Sequence, residues 1–292
     1  MADNPHHGHH GHGGQMTPEQ QKQMIQQEIK LSQNLGQIKY KIAVMSGKGG
    51  VGKSTVAANL AETFQKLGFK TGILDADSHG PNIPKMLGLE GEDLFINENR
   101  NMVPVETSSG LKVMSMAFML ESIDTPIIWR GPQKSGSIKQ LIAEVEWGPL
   151  DVLIIDNPPG TGDEPLTVLQ TIPDTDAVIM VTTPNVVSQE DVLKCVKMVN
   201  MMNIKNIGLI ENMAYYICPH CGEKLNIFGK GDGEAFSQEM EIEYFGDLPL
   251  TEKVSDSPNQ DAVISTIDPE GEVSKRFEEI VNQINDEFFK KE

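Results

Sequence analysis

Basic side chains are scarce in this chain of 292 residues: 24 Lys and Arg stand against 42 Asp and Glu, a formal net charge of -18. A protein that grips nucleic acid regardless of sequence needs a cationic face to displace counterions, so that class is excluded and no nucleic-acid partner is expected. Long apolar runs are missing as well. No stretch approaches the roughly 18 apolar residues that a membrane helix needs, and the first residues carry no apolar signal core. We therefore expect no membrane partner and a cytoplasmic location. Three cysteines are too few for a disulfide framework and suit a reducing compartment. What is present is length: a chain of this size can bury a large core, and one α/β domain of roughly 250 residues with a tail fits it.

The tail is distinct in kind. Residues 1–15 carry His6, His7, His9, His10 and His12 among glycines, and such a segment buries too little apolar area to offset its ordering entropy, so disorder is expected. Imidazoles at this density can hold nickel, zinc or copper weakly; a flexible tail without a task is the simpler reading. Residues 16–37 are polar and Gln-rich with sparse apolar positions. Thr17 is a suitable cap there, with Glu19 and Gln20 in the first turn, and a surface helix feeding the first strand is expected.

From residue 38 to 292 helical and strand patterns alternate, the mark of a mostly parallel, doubly wound sheet with helices on both faces. Strands are expected at 41–46, 71–75, 113–116, 152–156, 177–182 and 207–211, several of them apolar at consecutive positions, as strands buried on both faces are. Helices are expected at 54–67, 135–145, 163–171, 188–202 and 270–289. In such a sheet a ligand sits outside the carboxyl ends of the strands.

The loop after the first strand reads GKGGVGKST, from Gly47 through Lys48, Gly49, Gly50, Val51, Gly52, Lys53 and Ser54 to Thr55. Gly47, Gly52, Lys53 and Ser54 satisfy the phosphate-loop pattern, and the required strand, loop and helix order is present. The glycines let successive N–H groups point inward at phosphate oxygens. Lys53 would reach the β and γ phosphates, Ser54 would hold magnesium, and the following helix turns its positive end to the phosphate. This marks a nucleotide-binding α/β protein of the P-loop NTPase class.

Two acidic loops follow later strands: Asp75, Ala76 and Asp77 lead into Ser78, His79 and Gly80, and Asp156 leads through Asn157, Pro158, Pro159 and Gly160 to Asp163. An aspartate ending an apolar strand beside a P-loop holds the magnesium shell, which fits Asp156, while Asp75 or Asp77 is left to order the attacking water. Cys218 and Cys221 form a third constellation, CPHCG, within an insert near 213–232. Spacing alone leans towards a four-cysteine zinc site; an iron–sulfur cluster also takes four thiolates. Either group needs two chains, because Cys195 falls inside an expected helix and reads as a small buried side chain.

Together, GKGGVGKST with its second lysine, DAD followed by GPNIP, and DNPPGTGD resemble the deviant Walker A ATPases, the group of the nitrogenase iron protein, MinD and ParA. WRGP at 129–132, ENM at 211–213 and CPHCG at 218–222 make the chain most similar, from about residue 38 onward, to the Mrp/ApbC-type iron–sulfur cluster carriers. The resemblance implies a homodimer that sandwiches two ATP molecules, with Lys48 reaching the other subunit's nucleotide. It assigns water orientation to Asp77, the magnesium shell to Asp156 through water, and adenine to Asn212, with 247–250 covering the base. It also turns the cysteine reading from zinc to a cluster, 4Fe–4S, bridging the dimer through Cys218 and Cys221. The implied activity is slow ATP hydrolysis, with Lys48, Lys53, Asp77 and Asp156 as the catalytic set, coupled to cluster transfer to apo iron–sulfur proteins. A zinc-bridged nucleotide switch without cluster transfer is the alternative.

Slow hydrolysis also follows from the lack of an obvious arginine finger in cis; Arg130 in WRGP is better suited to tying down the acidic loops. The apolar stripe Phe277, Ile280, Val281, Ile284 and Phe288 has a mostly acidic opposite face, so core packing is expected of it rather than membrane cycling. Ser78, His79 and Asn157 depart from the usual small or apolar residues of the resembled family, and none removes a group that the chemistry needs.

Overall fold

The computed structural model describes residues 17–78, 80–119, 131–172 and 174–290, and its first helix, α1 (Pro18–Leu35), leads into the sheet. The His-rich segment 1–15, His79, and Trp129 with Arg130 lie outside the described residues. Eight strands form one sheet: β1 (Ile38–Ser46), β2 (Thr71–Asp75), β3 (Val105–Glu106), β4 (Lys112–Ser115), β5 (Leu150–Asp156), β6 (Ala177–Thr182), β7 (Asn206–Glu211) and β8 (Glu243–Asp247). Their order is β8-β7-β6-β1-β5-β2-β4-β3. All neighbours pair in parallel except β3, which runs antiparallel to β4 at the edge.

Alternation along the strands explains the layers. Ile42 and Val44 of β1 and Val152 and Ile154 of β5 pack to one side against α2 (Lys53–Lys66) and α7 (Glu272–Ile284). Leu153 and Ile155 face the opposite side, with Ile138 and Leu141 of α3 (Gly131–Glu144) and Val168 of α4 (Asp163–Thr171). Ala43 and Met45 share that opposite side with Val192, Cys195 and Val199 of α5 (Val186–Met201). Both faces of the central strands are therefore covered by helices, which is why their residues run apolar without a break. The fold is the doubly wound P-loop NTPase architecture that the sequence implies.

The stripe at the C-terminal end is core. Phe277, Ile280, Val281, Ile284 and Phe288 are all buried, and Phe289 stacks flat on Tyr40 of β1, ring centroids 3.8 Å apart. The regular helix stops at Ile284 and widens into a π-turn over Asn285–Phe289, where the sequence pattern suggests one continuous helix. The wider turn keeps both Phe288 and Phe289 buried, which 3.6-residue spacing alone places at an angle of about 100° to each other. Strand β8 and the short helix α6 (Gly233–Glu239) were also absent from the sequence reading. EYFGD places its two aromatic residues side by side rather than in alternation, and as the outer strand β8 needs only one partner.

Candidate functional site

At the carboxyl end of β1 the chain turns through Gly50 and Gly52, both at φ +80°, into the first turn of α2. Only glycine takes this conformation without strain. Gly52 is also the N-cap residue, so its carbonyl accepts the Val56 N–H at 2.9 Å while no side chain covers the free amides of the helix start. Those amides and the helix dipole are left for an anion. A Cβ on Gly52 would run into Asn212 Nδ2, and one on Gly47 into Asp191 in the second turn of α5. Lys48 is half-buried, and its carbonyl accepts the Ser46 hydroxyl at 2.9 Å; Gly49 and Gly50 are exposed, Ser54 and Thr55 half-buried, and Val51 buried.

Lys53 is 6% exposed and lies between carboxylates. Its ammonium donates to Asp156 Oδ1 at 2.5 Å and stands 4.0 Å from Asp77 Oδ2; Ser54 Oγ is 3.3 Å away. Burial pushes the Asp156 carboxyl upward in pKa, and the Lys53 charge opposes that. The second oxygen, Asp156 Oδ2, is buried with no hydrogen-bond partner. An orphaned carboxylate oxygen beside a serine hydroxyl and the phosphate-facing end of α2 is a donor set that fits magnesium with its waters.

The two aspartates of the first acidic loop divide their tasks by geometry. Asp75 is fully buried and satisfied by three donors: Ser115 Oγ at 2.9 Å, the Asp77 N–H at 3.2 Å and the Ile83 N–H at 3.3 Å. Its pKa is pushed up to about 8, by burial first and by the charge of Asp156 second. It braces the loop from inside. Asp77 instead opens towards Lys53. The first loop is also tied to the second: the Ala76 N–H donates to the Asp156 carbonyl at 3.0 Å, and Ser78 Oγ donates to Glu164 Oε2 at 3.0 Å. Sequence reading treated Ser78 only as a departure from a family pattern. The paired signal was the acidic residue in the first turn of the helix 86 positions later, which spacing cannot connect.

Asn212 follows β7 and lies on the loop. Its Nδ2 donates to the Val51 carbonyl at 2.9 Å, and its backbone N–H donates to the Thr182 carbonyl at 2.8 Å. Glu211 beside it is buried with Oε1 unpartnered, and burial and then Asp247 raise its pKa. A Cβ on Gly231 would collide with this carboxyl. Both ends of the cysteine insert therefore close on Glu211.

Within the insert, Tyr216–Ile217 and Lys224–Leu225 pair as an antiparallel ribbon, Tyr216 opposite Leu225. The Cys218 N–H donates to the Glu223 carbonyl at 3.0 Å, and the Gly222 N–H to the Cys218 carbonyl at 2.8 Å, which closes the knuckle. N–H groups of Cys221 and His220 lower the Cys218 pKa. Cys218 is half-buried, Cys221 exposed and Cys195 buried, all three as free thiols. Cys195 Sγ lies 3.8 Å from the Ser46 carbonyl and 3.6 Å from that of Gly160, beneath the loops. Among the described residues no group of three or more His, Cys, Asp or Glu side chains is placed to hold a metal.

A parallel sheet with a glycine loop, a buried lysine and paired acidic loops at its carboxyl edge defines a P-loop NTPase, here with a thiol pair on a ribbon beside the loop. The chain belongs to the NUBPL iron-transfer P-loop NTPase family, whose model matches residues 37–285. It is 46% identical over 267 residues to an iron-sulfur cluster carrier protein of Methanocaldococcus jannaschii, covering 91% of each chain. Its fold is similar to a solved nucleotide-binding protein in complex with ADP from Archaeoglobus fulgidus, with a TM-score of 0.72 at 38% identity over 81% of this chain and 92% of that one. MinD of Pyrococcus horikoshii, at TM-score 0.63 and 19% identity over 85% of this chain and 96% of that one, shares the fold. No described helix is long and apolar enough to cross a membrane.

Proposed function

We propose that this chain is an ATP-hydrolysing carrier that holds a 4Fe–4S cluster as cargo between Cys218 and Cys221 of two copies and passes it to apo iron–sulfur proteins in the cytoplasm. The observation that carries the reading is the free thiol pair, Cys218 half-buried and Cys221 exposed, on a ribbon rooted at Glu211, directly beside the asparagine that holds the phosphate loop. Membership of an iron-transfer family supports it, and so does the cluster-carrier name of the Methanocaldococcus jannaschii relative. Residues 38–292 act as one ATPase domain, with the 213–232 insert as its cargo arm.

The P-loop amides of 47–55 receive the phosphates, and Lys53 neutralises charge on the β and γ groups as hydrolysis proceeds. Magnesium, held by Ser54 and through water by Asp156, would supply further charge neutralisation. Asp77 orients the attacking water. It is suited to this because Asp75 already takes the bracing contacts, which leaves the Asp77 carboxylate facing the phosphate side near Lys53. Lys48 reaches the nucleotide of the second copy, so dimerisation and ATP occupancy depend on each other. Asn212 exchanges its Val51 contact for the adenine base, and 247–250 cover it. That exchange moves the root of the cysteine ribbon, and cluster retention then follows nucleotide state.

Anaerobic reconstitution with iron and sulfide tests the reading. About four irons and four sulfides per two chains are expected, with charge-transfer absorption lost in Cys218→Ala/Cys221→Ala. Zinc in place of iron would replace the carrier with a zinc-bridged switch. Equal transfer rates with ATP, ADP and no nucleotide, in the parent and in Lys48→Ala, would remove the coupling.

A further inference from the structure

Residues 219–230 are exposed without interruption, and three of them are large and apolar: Leu225 at 42%, Ile227 at 56% and Phe228 at 44% exposure. Leu225 pairs with Tyr216, two residues before Cys218, a separation of about 7 Å along a strand. The ribbon then folds back on the body of the protein. A Cβ on Gly229 would lie 3.9 Å from the Pro184 carbonyl, and beyond Pro184 comes Val187, exposed at 57% in the first turn of α5. The same helix abuts the phosphate loop at Gly47. Thiols, apolar side chains and the flank of the phosphate loop are thus strung along neighbouring segments.

We infer that Leu225, Ile227, Phe228 and Val187 form a self-complementary contact, covered by the same residues of a second copy when the two thiol pairs come together. The inference rests on the cluster-bridged dimer proposed above and names the surface that holds it. A group needing four ligands that finds two thiols on each chain lies on the two-fold axis, and residues near such an axis meet their own counterparts. Charged residues there would oppose their own sign. With a formal charge of -18 on each chain, the copies repel at a distance, so uncharged area close to the axis has to add to what Lys48 and the nucleotide contribute. These four side chains supply it. They also exclude water from the sulfurs once the faces meet.

The experiment compares parent, Ile227→Glu/Phe228→Glu and Phe228→Leu proteins by sedimentation velocity with ATP and by iron content after anaerobic reconstitution. These positions are exposed, so apo melting temperature should be unchanged and serves as the folding control. The expected result is that the double glutamate variant dimerises about a hundredfold more weakly, because like charges now face each other, and loses its iron on gel filtration, while Phe228→Leu behaves as the parent. A glutamate variant that dimerises like the parent overturns the inference. So does one that keeps dimer and cluster but transfers more slowly, which would assign the patch to a client protein. A parent that takes up no iron yet dimerises through this patch would instead sink the carrier reading and leave the contact standing.

Discussion

Lys53 is 6% exposed and wedged between two carboxylates, whereas Cys221, on a ribbon rooted at the same edge of the sheet, sits in a segment where every residue from 219 to 230 is exposed. The phosphate loop and the end of β1 that leads into it are braced from several sides: Asn212 on Val51, Gly160 on the Ser46 carbonyl, Asn157 on the Val44 carbonyl and Asp191 against Gly47. The cysteine knuckle is held chiefly by its own short-range hydrogen bonds. Charge stabilisation in a transition state requires groups fixed in advance and away from water. The cargo role proposed for the knuckle requires the reverse, few contacts and an open approach. The molecule places these opposite designs a few residues apart, joined through Glu211 and Asn212.

Substitutions that fall on one region or the other should break or sharpen this contrast. The largest effect is expected of Lys53→Met, which strands the buried Asp156 carboxylate. Loss of one partner of a buried pair costs about 3–5 kcal/mol, so urea unfolding of the apo-protein should show a deficit of that order, and ATP binding should vanish. A variant as stable as the parent would mean that Asp156 takes up a proton instead. Gly52→Ala is expected next, at about 1–3 kcal/mol for a side chain forced to positive φ, because its Cβ also displaces the Asn212 amide from Val51. Nucleotide affinity, read by calorimetry, should fall with stability.

Ser78→Ala removes the side-chain bond from the first acidic loop to Glu164 and leaves the Ala76–Asp156 backbone bond, at a cost of about 1 kcal/mol. ATP turnover should fall while ATP affinity holds, since the bond positions Asp77 without touching the loop amides; Ser78→Thr should restore it, and unchanged turnover in the alanine variant would reduce the bond to packing. The smallest effect is Cys218→Ser, within about 0.5 kcal/mol in the apo-protein. Thiol reactivity shows the same contrast. Cys218 and Cys221 should alkylate rapidly at neutral pH, and Cys195, buried and with its pKa pushed up to about 11, only on unfolding. Prompt labelling of all three would mean that α5 opens readily.

How much of this was legible in the sequence depends on the range of the interaction. Gly47 to Thr55 could be read directly, because a phosphate loop is a local device whose residues are adjacent in the chain. The central strands were legible for the same reason: burial on both faces leaves an apolar run. The contact between Asn212 and Val51 spans 161 positions and the Ser78–Glu164 bond 86, and no periodicity reports such pairs. Spacing left Asp75 and Asp77 equivalent, the family resemblance favoured Asp77 for the water, and the three donors gathered on Asp75 give that residue a bracing place. Strand β8 escaped because an edge strand of five residues with a glycine and two acidic residues has no distinctive pattern.

The stacking of Phe289 on Tyr40 has a consequence for synthesis. Strand β1 and the phosphate loop are among the first parts of the domain to leave the ribosome, and the side of α2 that carries Phe64 waits for residues 277–289 to cover it. Until those residues emerge, the nascent chain carries the phosphate loop beside an uncovered face of α2. Its exposed face is the kind of surface that chaperones bind. Shortening the chain before Phe288 should therefore trap the protein in that unfinished state, with the nucleotide loop intact in sequence and unsupported in space.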